Sequence, residues 1–208
     1  AAICGTSGSG KSVLLNSIAL SYLGIGGRVW IIDIGRSFEK LCHTVGGQYL
    51  EFTQESDIRL NPFSMVEAID EDLEMLIPLF EQMISPSEPL DDYRRRQLGL
   101  HILSVWYDKG RNASVDNLAY SLINNCEKGG PNPQAADEEW IAKVRAMSHE
   151  ERQHYCDPRI RDLGVQLFPY TSDGPYGRYF LGETNVNFDN DLIVLELEEL
   201  AAKKDLQA

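Results

Sequence analysis

The sequence predicts an α/β fold with a helical segment inserted into it. Two short apolar runs that end in an acid, Arg28–Asp33 and Leu192–Glu196, are typical of buried parallel strands. Between them, from about residue 64 to residue 167, apolar residues recur at helical spacing opposite an acidic side. A glycine-rich turn lies between a short apolar run and the first predicted helix. Together these features predict a nucleotide-binding type of α/β core.

The glycine-rich turn reads Gly5-Thr6-Ser7-Gly8-Ser9-Gly10-Lys11-Ser12 and matches the P-loop pattern G-x-x-x-x-G-K-S. The glycines allow the backbone to curl, so that successive N–H groups point at anionic oxygens. The lysine of such a motif reaches the β- and γ-phosphates, and the hydroxyl after it binds Mg²⁺. Since the helix that follows presents its positive dipole end to the phosphates, the context supports the motif. We therefore expect a RecA-like P-loop NTPase core that uses ATP and Mg²⁺.

The other elements follow from periodicity and from helix-breaking residues. The first helix, from Ser12 to Leu23, ends at the glycines of residues 24–27. A short helix precedes Gly46-Gly47, and a strand follows it. Pro62 excludes a central strand at that point, and Pro78 is expected to kink or divide the long helix around it. The remaining predicted elements are a helix over 37–45, a strand over 48–52, helices over 66–84, 93–107, 114–126, 139–147 and 158–167, a strand over 192–195 and a helix over 198–204.

These elements group into three predicted parts. Residues 1–63 are the first part of the P-loop core, residues 64–167 are an all-helical insertion, and residues 168–208 return to the core. The core lacks a clear second acidic motif, the apolar strand ending in Asp or Asp-Glu that P-loop ATPases use for Mg²⁺ and water. Asp33 and Glu196 are the two candidates, and neither is a clean match. The simplest explanation is a fragment whose second motif lies beyond Ala208.

The predicted catalytic residues are Lys11, Asp33 and Arg178. Asp33 either contacts the Mg²⁺ shell and positions water or is an ordinary acid at a strand end, and the sequence favours neither. Arg178 lies in a Gly/Tyr-rich turn and is a candidate arginine finger for a neighbouring subunit, because hydrolysis needs positive charge at the γ-phosphate. The alternative is an arginine stacked on Tyr176 or Tyr179. The predicted nucleotide-binding residues are Gly5, Thr6, Ser7, Gly8, Ser9, Gly10, Lys11, Ser12 and Val13, with Ser12 also the Mg²⁺ ligand.

The charge balance argues against direct nucleic-acid binding. The formal net charge is -13 at pH 7, and a nucleic-acid surface needs a basic stripe that displaces counterions. Arg94–Arg96 is the only basic run, and Asp91 and Asp92 directly precede it. We expect these charges to pair locally on a solvated helix face.

Five segments together resemble the TraC family, the ATPases of F-like conjugative type IV secretion systems. The P-loop is shared by many families, whereas the Asn-Pro-Phe element and the Tyr-Gly-Arg segment are much more specific. The five segments are Ile3–Ser12, Ile32–Gly35, Leu60–Phe63, Phe168–Phe180 and Leu195–Leu200. The resemblance runs in order over nearly the whole chain, although the Asp-Glu motif and a later glutamine-bearing motif of the family are absent.

The resemblance implies a hexameric ATPase of the FtsK/HerA-like branch that powers pilus assembly and substrate transfer. It implies a cytoplasmic protein held peripherally at the inner membrane, where it contacts other secretion components. Two other classes stay open. One is a different P-loop enzyme, such as a small-molecule kinase with Asp33 as its magnesium acid. The other is a nucleotide-binding interaction module without turnover.

Overall fold

The computed structural model describes Cys4, Thr6 and residues 10–53, 55–125, 142–143, 145–148, 151 and 155–200. The described residues divide into two compact units. An α/β unit contains those up to Ile58 and those from Val186 onward, and a helical unit contains those of Arg59–Asn185. The sequence predicts boundaries at 63/64 and 167/168, whereas the two units divide at 58/59 and 185/186. The predicted strand at residues 1–4 and the predicted helix over 139–147 lie largely outside the described residues.

The described α/β unit contains a parallel sheet with helices next to it. The elements in chain order are α1 (Lys11–Gly24), β1 (Val29–Asp33), α2 (Glu39–Val45), β2 (Gln48–Glu51) and β3 (Leu192–Glu196). The strand order is β1-β3-β2, so the last strand along the chain is the central one. Both pairings are parallel, and the register places Asp33, Glu196 and Glu51 side by side at the carboxyl ends of the strands.

One side of this sheet packs against α2. Phe38, Cys42, Leu192 and Val194 form a buried cluster, and Leu23 at the end of α1 packs against it. Gly47 allows this approach, since a Cβ there would lie 2.9 Å from the Cys42 sulfur and 3.0 Å from the Leu192 carbonyl oxygen. Burial in this cluster raises the pKa of the Cys42 thiol, so the side chain acts as a small apolar residue.

The helical unit contains α3 (Ile69–Ile84), α4 (Asp92–Lys109), α5 (Val115–Ile123) and α6 (Pro158–Gln166). Ser114 caps α5 in a capping box with Asn117, as its position before the apolar run predicted. Helix α3 is not divided at Pro78, which is exposed. The missing N–H of Pro78 leaves the carbonyl of Glu74 on the solvent side, where water can satisfy it, so the helix continues. None of the helices in the described ranges is long and apolar enough to span a membrane.

Residues 168–185 pack inside the helical unit, although the sequence placed them in the core. The Leu60 N–H donates to the carbonyl of Tyr179 over 2.6 Å, and the Ser64 hydroxyl donates to Thr184 Oγ1 over 2.8 Å. The ring of Tyr170 lies 5.5 Å from that of Phe180. A Cβ at Gly177 would collide with the carbonyl of Thr171, so this turn requires glycine. These contacts explain why the helical unit extends to both sides of the predicted insertion.

A buried carboxylate holds α6 against α4 and the end of α5. Asp157 caps α6, is 3% exposed, and accepts a hydrogen bond of 2.8 Å from the Tyr93 hydroxyl. Arg159 donates to both of its oxygens, over 3.1 and 2.7 Å, and its guanidinium lies 4.1 Å from the Tyr93 ring centre. The backbone of Asp157 exchanges two further hydrogen bonds with the Asn125 amide, of 2.8 and 3.0 Å. The Arg159 hydrogen bonds lower the pKa of Asp157 to about 2, against the opposing effect of burial.

The Asp157→Asn variant should therefore lose stability in a pH-dependent way. Because the pKa of Asp157 is lowered from 3.8 to about 2 by folding, its contribution is complete above pH 4 and is lost as the pH falls toward 2. We expect the free energy of unfolding at pH 7 to fall by about 2 kcal/mol in the variant. Urea unfolding at a series of pH values measures this difference. A difference from wild type that stays constant between pH 5 and pH 2 would contradict the assignment.

Candidate nucleotide site

The described part of the P-loop lies at the start of α1. Gly10 precedes the helix in the left-handed conformation, with φ of 83°, and Lys11 and Ser12 form its first turn. The Lys11 ammonium donates to the carbonyl of Thr6 over 3.0 Å, so the lysine folds back over the loop. The Ser12 side chain is exposed, and that of Val13 is 74% exposed. The predicted residues Gly5, Ser7, Gly8 and Ser9 lie outside the described residues.

The start of α1 is expected at the carboxyl edge of the sheet. Four residues connect α1 to β1, and α1 contacts that strand. In an open α/β sheet a helix runs antiparallel to the strand that follows it, and on this topology we expect Lys11 and Ser12 at the edge where Asp33 lies. Ligands of open α/β sheets bind at this edge.

Glu196 lies at the centre of that edge and is 1% exposed. Its Oε1 accepts the N–H groups of Gly35, over 3.2 Å, and Glu198, over 2.9 Å. Its Oε2 accepts the Arg36 N–H over 2.8 Å and the Tyr49 hydroxyl over 3.3 Å. Burial and the nearby Glu196 carboxylate raise the pKa of Tyr49, so its hydroxyl remains a donor. A carboxylate has about four acceptor positions, and all of those of Glu196 are used.

Arg36 balances the acids around Glu196. Its guanidinium pairs with Glu51 over 2.5 Å and with Glu198 over 3.2 Å. These carboxylates, Glu51 first, raise the pKa of Arg36 and keep it cationic. Its backbone has φ of 56°, which makes it the one non-glycine with positive φ in the described ranges. No sequence pattern singled out Arg36, Glu51 or Tyr49, because their roles depend on which strands are neighbours.

Asp33 differs from Glu196 in what its carboxylate contacts. Oδ2 accepts the Ser37 N–H over 2.6 Å, and no contact of Oδ1 is found with the described residues. Asp33 is only partly buried, so water can reach the residue at the carboxyl end of β1. Mg²⁺ prefers oxygen ligands and keeps several waters, and the exposed Ser12 hydroxyl and Asp33 Oδ1 suit such an ion. Of the two sequence candidates for the second acid, only Asp33 has an oxygen available.

The structure places Arg178 in the helical unit, in a single 3₁₀ turn, Gly177–Tyr179. Its guanidinium lies 4.5 Å from the ring centre of Tyr179, and it donates to the Tyr179 hydroxyl. This geometry matches the stacked arginine considered for the sequence. Arg178 is nevertheless exposed, so a role toward a neighbouring subunit stays a prediction.

Comparison with known proteins gives one consistent relationship. A family model of the TraG P-loop domain matches residues 1–82. Protein TraC of Escherichia coli K12 is 30% identical over 206 residues, which span 99% of this chain and 21% of TraC. The chain is therefore similar to TraC along nearly its whole length. In fold it is similar to the structure of VirB4 of Thermoanaerobacter pseudethanolicus, which matches with a TM-score of 0.63 at 19% identity, over 97% of this chain and 51% of that one.

The TraC relationship confirms the resemblance that the sequence motifs predicted, and the VirB4 match confirms the fold class. This chain spans about a fifth of TraC and about half of the VirB4 chain. The family model covers α1 to the last turn of α3, so the part that it identifies is the one that carries the P-loop.

Two substitutions at Arg36 separate backbone strain from charge. Arg36→Ala and Arg36→Gly both remove the ion pairs with Glu51 and Glu198, but only glycine adopts the left-handed conformation without strain. We expect the glycine variant to be more stable than the alanine variant by about 1 kcal/mol. Chemical unfolding of both variants beside wild type measures this. Equal stability of the two variants would show that the loop changes its backbone conformation once the guanidinium is lost.

Proposed function

We propose that this chain is the nucleotide-binding part of a type IV secretion ATPase. The observation that carries the proposal is a P-loop sequence at the start of α1, in an α/β unit with a parallel sheet, in a chain that is similar to TraC in sequence and to VirB4 in fold. In the full-length protein, a hexamer at the cytoplasmic side of the inner membrane would use ATP to drive pilus assembly and substrate transfer. Other secretion components would be its partners.

In this proposal the residues of the site have different roles. The P-loop backbone and Lys11 bind the phosphates, and the positive end of α1 favours their charge. The Ser12 hydroxyl and Asp33 would hold Mg²⁺, which when bound neutralises charge on the phosphate oxygens. Asp33 would also orient water through Oδ1. Glu196 takes no direct part, because its oxygens are engaged by four donors.

The small-molecule kinase alternative receives less support. Such an enzyme needs a lid with arginines, for which the sequence offered only Arg94–Arg96. Arg94 pairs with Asp91 over 3.6 Å, and Arg95 pairs with Glu81 over 3.2 Å. Both arginines are therefore paired within the helical unit.

Binding of Mg-ATP to the full-length protein tests the proposed site. We expect Lys11→Ala to weaken binding at least tenfold, because the lysine supplies the side-chain cation that faces the phosphates. Lys40→Ala is the matched control, since Lys40 is an exposed lysine on α2. Isothermal titration gives both affinities, and phosphate release in the same samples separates an ATPase from a module without turnover. Unchanged affinity in Lys11→Ala would overturn the proposal.

Arg178 provides a separate test of the hexameric mechanism. If it acts as an arginine finger, Arg178→Ala in the full-length hexamer should lower turnover by about 10³-fold and leave ATP affinity unchanged, because the finger acts on the transition state. Thermal unfolding of the same variant controls for the lost contact with Tyr179. Full turnover in the variant would leave only the stacking role that the structure shows.

A further inference from the structure

Three successive backbone N–H groups between β1 and α2 point at carboxylates. Gly35 and Arg36 donate to Glu196, and Ser37 donates to Asp33 over 2.6 Å. Successive N–H groups of this kind form an anion-binding concavity, and here the protein fills it with its own acids. The turn is therefore not available as a second phosphate site.

From this arrangement, we propose that Glu196 is a positioning residue of the nucleotide site: it holds the turn Gly35–Ser37, and the turn in turn holds the Asp33 carboxylate with Oδ1 accessible. The inference rests on the proposed function and adds a role to a residue that touches neither nucleotide nor metal. The Asp33 carboxylate has one described hydrogen bond, from the Ser37 N–H, so its direction depends on where that N–H is held.

The backbone conformation of the turn shows why contacts from outside the turn are needed to hold it. Gly35 and Arg36 both have positive φ, 109° and 56°. An arginine in this conformation is strained and persists only where surrounding contacts fix it. The two N–H groups bound to Glu196 supply such contacts from the neighbouring central strand. Without them, the turn would relax and Ser37 would no longer hold Asp33 in one orientation.

The Glu196→Gln variant tests whether the hydrogen bonds to Glu196 hold the turn, and it changes the side-chain volume little. A glutamine amide has one oxygen and one NH₂ group, so it turns the NH₂ group toward two of the four donors. Glu199→Gln is the matched control. Glu199 is an exposed carboxylate three residues away, and among the described residues its side chain has no hydrogen bond or ion pair with the turn Gly35–Ser37.

The measurement is ATP affinity of the full-length protein with and without Mg²⁺, for wild type, Asp33→Asn, Glu196→Gln and the double variant. We expect metal-free affinity to differ from that of wild type by less than twofold in all three variants, because the P-loop is intact. We expect the Mg²⁺-dependent gain to fall by the same factor, roughly tenfold, in each single variant and no further in the double variant. This non-additivity is the sign of two residues acting as one unit.

The outcomes separate the two proposals. If Asp33→Asn keeps the Mg²⁺-dependent gain, or if the two losses multiply in the double variant, Glu196 does not act through Asp33 and the inference fails. Failure of the proposed function is distinct, since wild type and Lys11→Ala would then bind ATP equally. Should Glu196→Gln not fold, Tyr49→Phe removes one of the four donors, and a partial loss confined to the Mg²⁺-dependent gain is expected. A loss shared equally by metal-free binding would overturn the inference.

Discussion

The α/β unit depends on the protein hydrogen bonds that replace water around one buried carboxylate, that of Glu196. Glu196 is 1% exposed, and an unpaired charge at such a position costs several kcal/mol. Its donors come from the turn after β1, from the end of β2 and from the residues after β3. All three strand ends must therefore be assembled before the charge is compensated. The same requirement places β3 between β1 and β2, because only the central strand can reach donors on both sides.

This constraint also explains how a long insertion is compatible with a small sheet. The hydrogen bonds from Gly35 and Tyr49 to Glu196 join residues 161 and 147 positions apart. The entropic cost of closing a loop grows only slowly with its length. A helical unit with its own buried core, centred on residues such as Phe63, Phe80 and Leu118, lowers that cost further by ordering the intervening chain.

The two kinds of motif in the sequence have different physical origins. The P-loop reflects chemistry, since its glycines and lysine serve an anion. The Asn-Pro-Phe element reflects packing: Asn61 is 2% exposed, donates to the carbonyl of Ala113 over 2.9 Å and accepts the Phe63 N–H over 3.1 Å. The Tyr-Gly-Arg segment is likewise held by Gly177 and Tyr179 inside the helical unit. The segments that most specifically indicated the family are therefore structural in this chain.

Short sequence patterns predicted the features that depend on interactions between residues close together in the chain. Apolar runs gave β1 and β3, and Ser114 gave the start of α5, because burial and capping act within a few residues. The strand order, the left-handed Arg36 and the four donors of Glu196 depend on partners far along the chain, and no local pattern encodes them. The sequence left Asp33 and Glu196 as equal candidates for the second acid, since each ends an apolar strand. Burial and hydrogen bonding distinguish them: protein donors use all the acceptor positions of Glu196, whereas the described residues make no hydrogen bond to Asp33 Oδ1.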